Sequence, residues 1–183
     1  MPTFDSGPNI RVATTQDEFR QLHDLLVEYE HALPPDLRHA HLEDELQNLS
    51  GLYRAPNAAL LALRDGTAVG CVALCALDGS TGITKRLYVK PAYRKDGAAR
   101  RLMQALIEFS RGHHYERLVL DTDRTRLKAA FELYVSLGFV ECEAYGDVDY
   151  ACPTYMELHL QERRRHLAAR RELGEHVARE KQV

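Results

Sequence analysis

The sequence predicts a mixed α/β domain in which short strands alternate with amphipathic helices. Three observations predict this class. Apolar residues recur at helical spacing in several segments, most regularly after Ala98. Runs of β-forming residues are bounded by turn residues, and Asp65-Gly66 between two of them is typical of a hairpin. A strand, a tight basic turn and a helix follow one another over residues 85–103.

Composition places the chain among single-domain globular proteins. It has 183 residues, of which 45% are hydrophobic and 28% charged, which is enough for one substantial core. No apolar run is long enough to span a bilayer and no secretory segment begins the chain, so we expect no membrane partner and a cytoplasmic location. The four cysteines lack zinc-type spacing and favour reduced thiols.

Charge is distributed unevenly along the chain. The net charge is −3, but residues 161–183 carry seven basic and four acidic residues, so the remainder is clearly acidic. An acidic body argues against nucleic-acid binding and suits a cationic amine substrate.

The first half of the chain predicts a leader, a strand, two helices and a hairpin. Residues 1–9 are expected to be a flexible leader, and 10–14 a strand. Thr15-x-x-Glu18 is a plausible capping box for a helix that Pro34-Pro35 ends. A second helix follows, with Leu42, Leu46 and Leu49 as its apolar face and Ser50-Gly51 at its end. Strands are expected at 58–64 and 68–77.

The second half predicts four more strands and two helices before a charged extension. The strands are expected at 81–89, 116–121, 139–145 and 154–160, and the helices at 98–111 and 124–137. Residues 161–183 predict a charged helical extension to a domain of residues 10–160. A solvated helix is the favoured interpretation of this extension, packing in a homodimer the second, and nucleic-acid binding the least favoured.

The turn between residues 90 and 98 predicts an anion site. Small residues at a helix start leave backbone N–H groups without partners, and the helix dipole adds partial positive charge there. Arg94-x-x-Gly97-x-Ala99 has this character, and further basic residues surround it. An ordinary strand-to-helix connection with a solvated basic face is the alternative.

Two segments of the chain resemble the GNAT superfamily of N-acetyltransferases. Val89-x-Pro91-x-x-Arg94-x-x-Gly97-x-Ala99 is similar to its acetyl-coenzyme A motif, and Ala130-x-x-Leu133-Tyr134-x-x-x-Gly138-Phe139 to its later helix-to-strand signature. The order of the predicted elements agrees with the GNAT fold, a mixed, mostly antiparallel sheet of about seven strands flanked by about four helices. Lys85 to Val89 and Leu120-Asp121-Thr122 resemble a bacterial group of GNAT proteins whose substrates are poorly defined.

The resemblance implies acetyl-CoA as co-substrate and assigns residues to it. Backbone groups of a splayed strand would pair with the pantetheine amides, turn amides would hold the diphosphate, and a backbone N–H near Val89 would polarise the thioester. The cofactor-binding residues implied are Leu87, Tyr88, Val89, Arg94, Lys95, Asp96, Gly97, Ala98, Ala99 and Arg100.

The same resemblance implies that Tyr134 is the general acid for the departing thiolate. A core tyrosine is the alternative interpretation, since Tyr134 lies on an apolar helix face. Neither Ile83 nor Thr84 is the Glu that many members carry on the strand before the turn, and Leu127 replaces a frequent Asn. The base is then a water, Glu30, Tyr29 or Asp121. Residues that could contact the acceptor are Tyr29, Glu30, Asp121 and Tyr145.

The functional expectation is an N-acetyltransferase acting on the amine of a small molecule or peptide by direct attack in a ternary complex. A non-catalytic acyl-CoA sensor and an interaction protein acting through the extension are the alternatives. His39-x-His41 and His113-His114 lack partners at metal-ligand spacing, so we expect no metal.

Overall fold

The computed structural model of the protein describes residues 7–148 and 150–160. Most of the predicted leader and the whole extension 161–183 therefore lie outside the described residues. Within them, seven strands form a single sheet. The strands are β1 Asn9–Val12, β2 Ala58–Arg64, β3 Thr67–Ala76, β4 Thr81–Val89, β5 Arg117–Thr122, β6 Val140–Glu141 and β7 Thr154–His159.

Five α-helices flank this sheet in the described part of the chain. They are α1 Gln16–Ala32, α2 Leu42–Gln47, α3 Leu49–Leu52, α4 Ala98–Gly112 and α5 Lys128–Ser136. The predicted capping box starts α1, since the Thr15 hydroxyl accepts from the Glu18 N–H and the Glu18 carboxylate accepts from the Thr15 N–H. None of the helices in residues 7–148 and 150–160 is long and apolar enough to cross a membrane.

Two helix boundaries differ from the prediction for local reasons. The single helix expected over residues 42–51 is two short helices, because Asn48 leaves the helical region at φ −140° and ψ 40°. The helix expected from residue 124 begins at Lys128, because the Asp123 carboxylate accepts from the N–H groups of Thr125 and Arg126 and holds a turn there.

The sheet has the order β1-β2-β3-β4-β5-β7-β6. Only β4 and β5 are parallel among its neighbouring pairs, so the sheet is mostly antiparallel. The Asp65-Gly66 hairpin joins β2 to β3, with both residues at positive φ, at 49° and 79°. These features confirm the predicted fold class.

The core lies on both faces of the sheet. Leu60 and Leu61 are neighbours on β2 that point to opposite faces, and both are buried. Leu60 packs in the cluster that includes Leu102 of α4, and Leu61 in the cluster that includes Leu22 of α1. Burial on both faces makes the central strands a nearly continuous apolar run.

The sheet opens at its centre. The parallel pairing of β4 with β5 covers only residues 81–83 and ends at Ile83, opposite Val119. One extra residue also bulges β4 between Lys85 and Tyr88, and Arg86 there has φ 60°. The second half of β4 therefore has an open side toward β5, where its backbone groups have no strand partner among the described residues.

Candidate active site

A cavity of about 120 Å³ occupies the gap between β4 and β5. It reaches both faces of the sheet, because α1 and the turn after it contribute to the wall together with α5. The lining residues are Tyr29, Leu33, Leu37, His39, Thr84, Lys85, Arg86, Leu87, Asp121, Thr122, Leu127, Ala130, Tyr134 and Tyr150. Four residues predicted for the site, Leu87, Tyr134, Tyr29 and Asp121, thus line one cavity.

The turn after β4 presents a run of backbone N–H groups. Lys95 and Gly97 both have positive φ, at 73° and 77°, and Gly97 is the N-cap of α4. Among the described residues, no backbone carbonyl accepts from the N–H groups of residues 95–100, and the first to bond is that of Arg101, to the Gly97 carbonyl. Successive N–H groups in such a turn form an anion-binding concavity, and the helix dipole strengthens it.

Three charged side chains of this turn have internal partners. Arg94 donates from Nε to the Val89 carbonyl at 3.0 Å, and Arg100 donates to the Ser136 hydroxyl at 2.8 Å. The Asp96 carboxylate accepts from Arg64 at 3.2 Å. The negative charge of Asp96 is therefore paired with a guanidinium at the end of β2.

Val89 directs its N–H to the open side of β4. The N–H of the next residue, Lys90, donates to the Val69 carbonyl of β3 at 2.9 Å. Because backbone groups alternate sides along a strand, the N–H of Val89 points away from β3. Leu87 lies on the cavity wall, whereas Tyr88 is buried against α1, where its hydroxyl donates to Glu28 at 2.8 Å.

Gly70 of β3 lets the neighbouring strand lie close. A Cβ at this position would sit 2.8 Å from the Tyr88 carbonyl oxygen and 3.0 Å from a Val89 methyl group. We expect Gly70→Ala to displace the end of β4 and to weaken coenzyme A binding about tenfold, measured by calorimetry. Gly79→Ala is the control, since its Cβ would meet nothing within 4 Å. Equal affinities of the two variants would contradict a role for this part of β4.

Tyr134 is buried in α5, with 7% of its surface exposed, yet it lines the cavity. Its ring packs on Phe139, with the centroids 5.8 Å apart. Burial, with the nearby Tyr29 and Asp121, raises the pKa of the Tyr134 hydroxyl above its ordinary value. Tyr134 therefore keeps its proton at neutral pH and can donate it. The position of Tyr134 is compatible with both interpretations of the sequence. The ring packs in the core, and the residue also lines the cavity.

Asp121 is the acidic centre of the cavity wall. One carboxylate oxygen accepts from the Tyr145 hydroxyl at 2.7 Å and the other from the Tyr150 hydroxyl at 2.9 Å. Burial and the Asp121 charge raise the pKa of both tyrosines. Asp121 and Tyr150 line the cavity, whereas Tyr145 reaches it only through its bond to Asp121.

Glu30 lies behind the wall rather than in it. Its Oε1 accepts from the His39 backbone N–H at 2.5 Å, and its Oε2 lies 2.8 Å from the His39 Nδ1. His39 itself lines the cavity and packs near the Tyr29 ring. The predicted substrate residue Glu30 is thus placed to orient His39.

Two residues at which the sequence departs from the family pattern, Thr84 and Leu127, both line this cavity. Thr84 is 4% exposed and lines the wall, and its hydroxyl has no hydrogen-bond partner in the described part of the chain. Leu127 is the N-cap of α5 and adds apolar surface to the same wall. Ile83 is the last residue of β4 that pairs with β5 and does not line the cavity.

A buried ion pair beside the cavity was not predicted. The Arg86 guanidinium binds the Glu45 carboxylate of α2, with Nη2 to Oε2 at 2.8 Å, and the Tyr53 hydroxyl donates to Glu45 at 2.5 Å. Burial raises the pKa of the Glu45 carboxyl, but Arg86, Lys85 and Tyr53 outweigh burial and hold it at about 2. The two basic residues Lys85 and Arg86 in an apolar strand could have indicated a buried ion pair. The acidic partner, Glu45, lies 41 residues from Arg86 in the sequence and gives no local pattern.

A second groove and the histidines lie outside this cavity or show no site of their own among the described residues. A larger open groove of about 1050 Å³ lies between the start of α1 and α3 and contains none of the predicted site residues. In residues 7–148 and 150–160, no group of three or more His, Cys, Asp or Glu side chains is arranged to hold a metal ion. The Phe109 ring stacks on His113, and the Phe109 carbonyl lies 2.9 Å from Nδ1 of that histidine.

Comparison with known proteins places the chain in a family. Residues 19–139 match the acetyltransferase (GNAT) family. The chain is 33% identical over 162 residues to an uncharacterized N-acetyltransferase of Schizosaccharomyces pombe, covering 87% of this chain and 97% of the relative. It is 31% identical over 134 residues to the uncharacterized N-acetyltransferase YsnE of Bacillus subtilis, covering 70% and 84%.

A solved structure shares the fold. The yncA structure of Salmonella typhimurium, solved with its cofactor acetyl-CoA, superimposes with a TM-score of 0.68 at 20% identity and covers 86% of this chain and 96% of that one. The match over residues 19–139, the two relatives and this fold agree with the motifs in the sequence. The chain therefore belongs to the acetyltransferase (GNAT) family and is an N-acetyltransferase.

Proposed function

We propose that the protein transfers the acetyl group of acetyl-CoA to an amine of a small molecule or peptide, directly within a ternary complex. One observation carries the proposal: the open side of β4 leads from the exposed N–H groups of residues 95–100 to a cavity lined by Tyr134. A thioester laid along that strand would bring its sulfur to the tyrosine.

The cofactor would be bound mainly by backbone. The pantetheine amides pair with the open side of β4 at residues 87–89, as an added strand does. The diphosphate lies on the N–H groups of residues 95–100 at the start of α4. The N–H of Val89 then donates to the thioester oxygen and stabilises negative charge that develops there.

The reaction needs a neutral amine and a protonated leaving group. Asp121 attracts the ammonium form to the cavity, and water takes the proton that the amine must lose. The amine nitrogen then forms a bond to the acetyl carbon, and the carbon–sulfur bond breaks. The thiolate takes its proton from the Tyr134 hydroxyl, which regains one from solvent. Among the described residues no cysteine lines the cavity, which supports direct transfer rather than an acetyl-enzyme.

A non-catalytic acyl-CoA sensor is the second candidate. Its support is the cavity wall, where Asp121 is the one carboxylate among the lining residues that the structure describes and both its oxygens already accept from tyrosines. Such a protein would bind the thioester and leave it intact.

A thiol-release assay separates the two functions. The protein is incubated with acetyl-CoA and a panel of amines, and free coenzyme A and the mass of the acetylated product are measured. We expect amine-dependent release well above the rate without protein. Acetyl-CoA binding by calorimetry without release for any amine would favour the sensor.

A further inference from the structure

We infer that the acceptor is a small amino acid, held by its carboxylate at Arg86 and Lys85 and by its amine at Asp121. This inference rests on the proposed function, since it names the substrate class of the same cavity. The distribution of charge and of unpaired polar groups along the cavity wall supports it.

One part of the cavity wall is cationic. Arg86 and Lys85 both line it, and in the described part of the chain the one carboxylate they share is that of Glu45, at 2.8 Å and 3.5 Å. The group therefore carries a net charge of about +1. The Arg86 side chain is 8% exposed, so an anion that reached it would be largely shielded from water.

The Arg86 guanidinium has a donor left over. Glu45 accepts from its Nε and Nη2, whereas its Nη1 has no acceptor among the residues that the structure describes. Glu45 also fixes the plane of the guanidinium. An arginine held in this way can offer further N–H groups to a second carboxylate, for which its geometry is well suited.

Another part of the cavity wall is anionic. The Asp121 carboxylate is fixed by two tyrosine hydroxyls, and each of its oxygens can accept a further hydrogen bond. Tyr29, Arg86 and Asp121 all line this one cavity. The cationic and the anionic side chains therefore face the same cavity, where both can act on a single small ligand.

An unpaired hydroxyl lies on the same wall. Thr84 precedes Lys85 on β4 and is buried, and its Oγ1 has no partner in the described residues. A buried hydroxyl without a partner costs free energy, so a ligand that bonds to it gains more than from a solvated group. A polar substrate in this cavity could therefore also bond to the Thr84 hydroxyl.

The size of the cavity restricts the ligand. Its volume is about 120 Å³, and the acetyl group of the co-substrate would share it, so the part of the acceptor that enters must be small. A zwitterion of a few non-hydrogen atoms fits both the volume and the opposite charges. A long polyamine or an aromatic amine has no carboxylate to pair with Arg86 and Lys85.

The test compares amino acids with the amines that lack only the carboxylate. Glycine with methylamine, alanine with ethylamine and serine with ethanolamine form three pairs. We expect kcat/KM in the thiol-release assay to be at least 100-fold higher for the amino acid in at least one pair. Equal or better use of the amines in all three pairs would overturn the inference.

Variants separate recognition from folding. We expect Arg86→Lys, which keeps the charge opposite Glu45, to raise KM for the amino acid at least tenfold with little change for the matching amine. Lys85→Gln should act in the same direction, whereas Lys90→Gln, a cation paired with Glu28 outside the cavity, should leave the preference unchanged. An unchanged preference in both Arg86→Lys and Lys85→Gln would contradict carboxylate binding here.

Failure of the proposed function and failure of this inference give different experimental results. If no acceptor releases thiol, the transfer reaction is wrong, and calorimetry of the same three amino acids with coenzyme A bound decides the present inference. Heat of binding for an amino acid but not for its amine would support the carboxylate site. No binding of any of the three would overturn it.

Discussion

Tyr134→Phe is expected to lower kcat about 100-fold while leaving coenzyme A affinity nearly unchanged. The substitution removes only the hydroxyl, and general acid catalysis is worth about 10²–10⁴-fold. We expect the lower end, because burial raises the pKa of this hydroxyl and proton transfer to a thiolate of pKa about 8.5 is uphill. Turnover is measured by thiol release and affinity by calorimetry.

Tyr115→Phe is the matched control for this experiment. Tyr115 is also buried, but its hydroxyl donates to the Pro56 carbonyl and it does not line the cavity. We expect its kcat to remain within about twofold of the unsubstituted protein. Full turnover in Tyr134→Phe would discard the acid role, and an equal loss in both variants would attribute the effect to packing.

The largest expected effect on stability comes from Glu45→Gln. The change leaves the Arg86 guanidinium buried beside a neutral amide, and removal of one partner from a buried ion pair costs about 3–5 kcal/mol. The free energy of unfolding is measured by urea titration. Glu43→Gln on the same helix is exposed and should change it by less than about 0.5 kcal/mol.

The same pair predicts a pH dependence. The pKa of Glu45 is held at about 2 in the folded protein, below its ordinary 4.5, so the unfolded chain binds the proton more tightly. Its contribution to stability is complete above pH 4.5 and is lost as the pH falls through 2. Between these values the unsubstituted protein should lose stability faster than Glu45→Gln does. Parallel curves would show that Glu45 is not paired as described.

Sequence patterns were sufficient for features that depend on local chemistry. The capping box at Thr15, the hairpin at Asp65-Gly66 and the start of α4 at Ala98 follow from turn and cap preferences over a few residues. Two motifs in the correct order predicted the family, and with it the mostly antiparallel sheet. The cofactor residues and the role of Tyr134 stay predictions, now with a geometry that can be tested.

Features that depend on long-range packing were not accessible from the sequence. Glu45 meets Arg86 across 41 residues, because a bulge in β4 turns the arginine toward α2. The strand expected to continue to Tyr145 ends at Glu141, since Tyr145 turns back to bond with Asp121. Neither contact leaves a periodic signal in the chain.

The central claim is that N–H groups of residues 95–100 bind a diphosphate, and calorimetry tests it most directly. Coenzyme A is compared with pantetheine, which lacks the diphosphate, on the unsubstituted protein, Ala99→Glu and Gln104→Glu. The Ala99→Glu substitution would place a carboxylate at the start of α4, where it favours the helix but repels a diphosphate. Gln104→Glu is the control, because it adds the same charge at an exposed position beyond the first turn of α4.

We expect the unsubstituted protein and Gln104→Glu to bind coenzyme A at least 100-fold more tightly than pantetheine, and Ala99→Glu to lose most of that difference. Equal affinity for the two ligands on the unsubstituted protein, or full coenzyme A affinity in Ala99→Glu, would contradict the account.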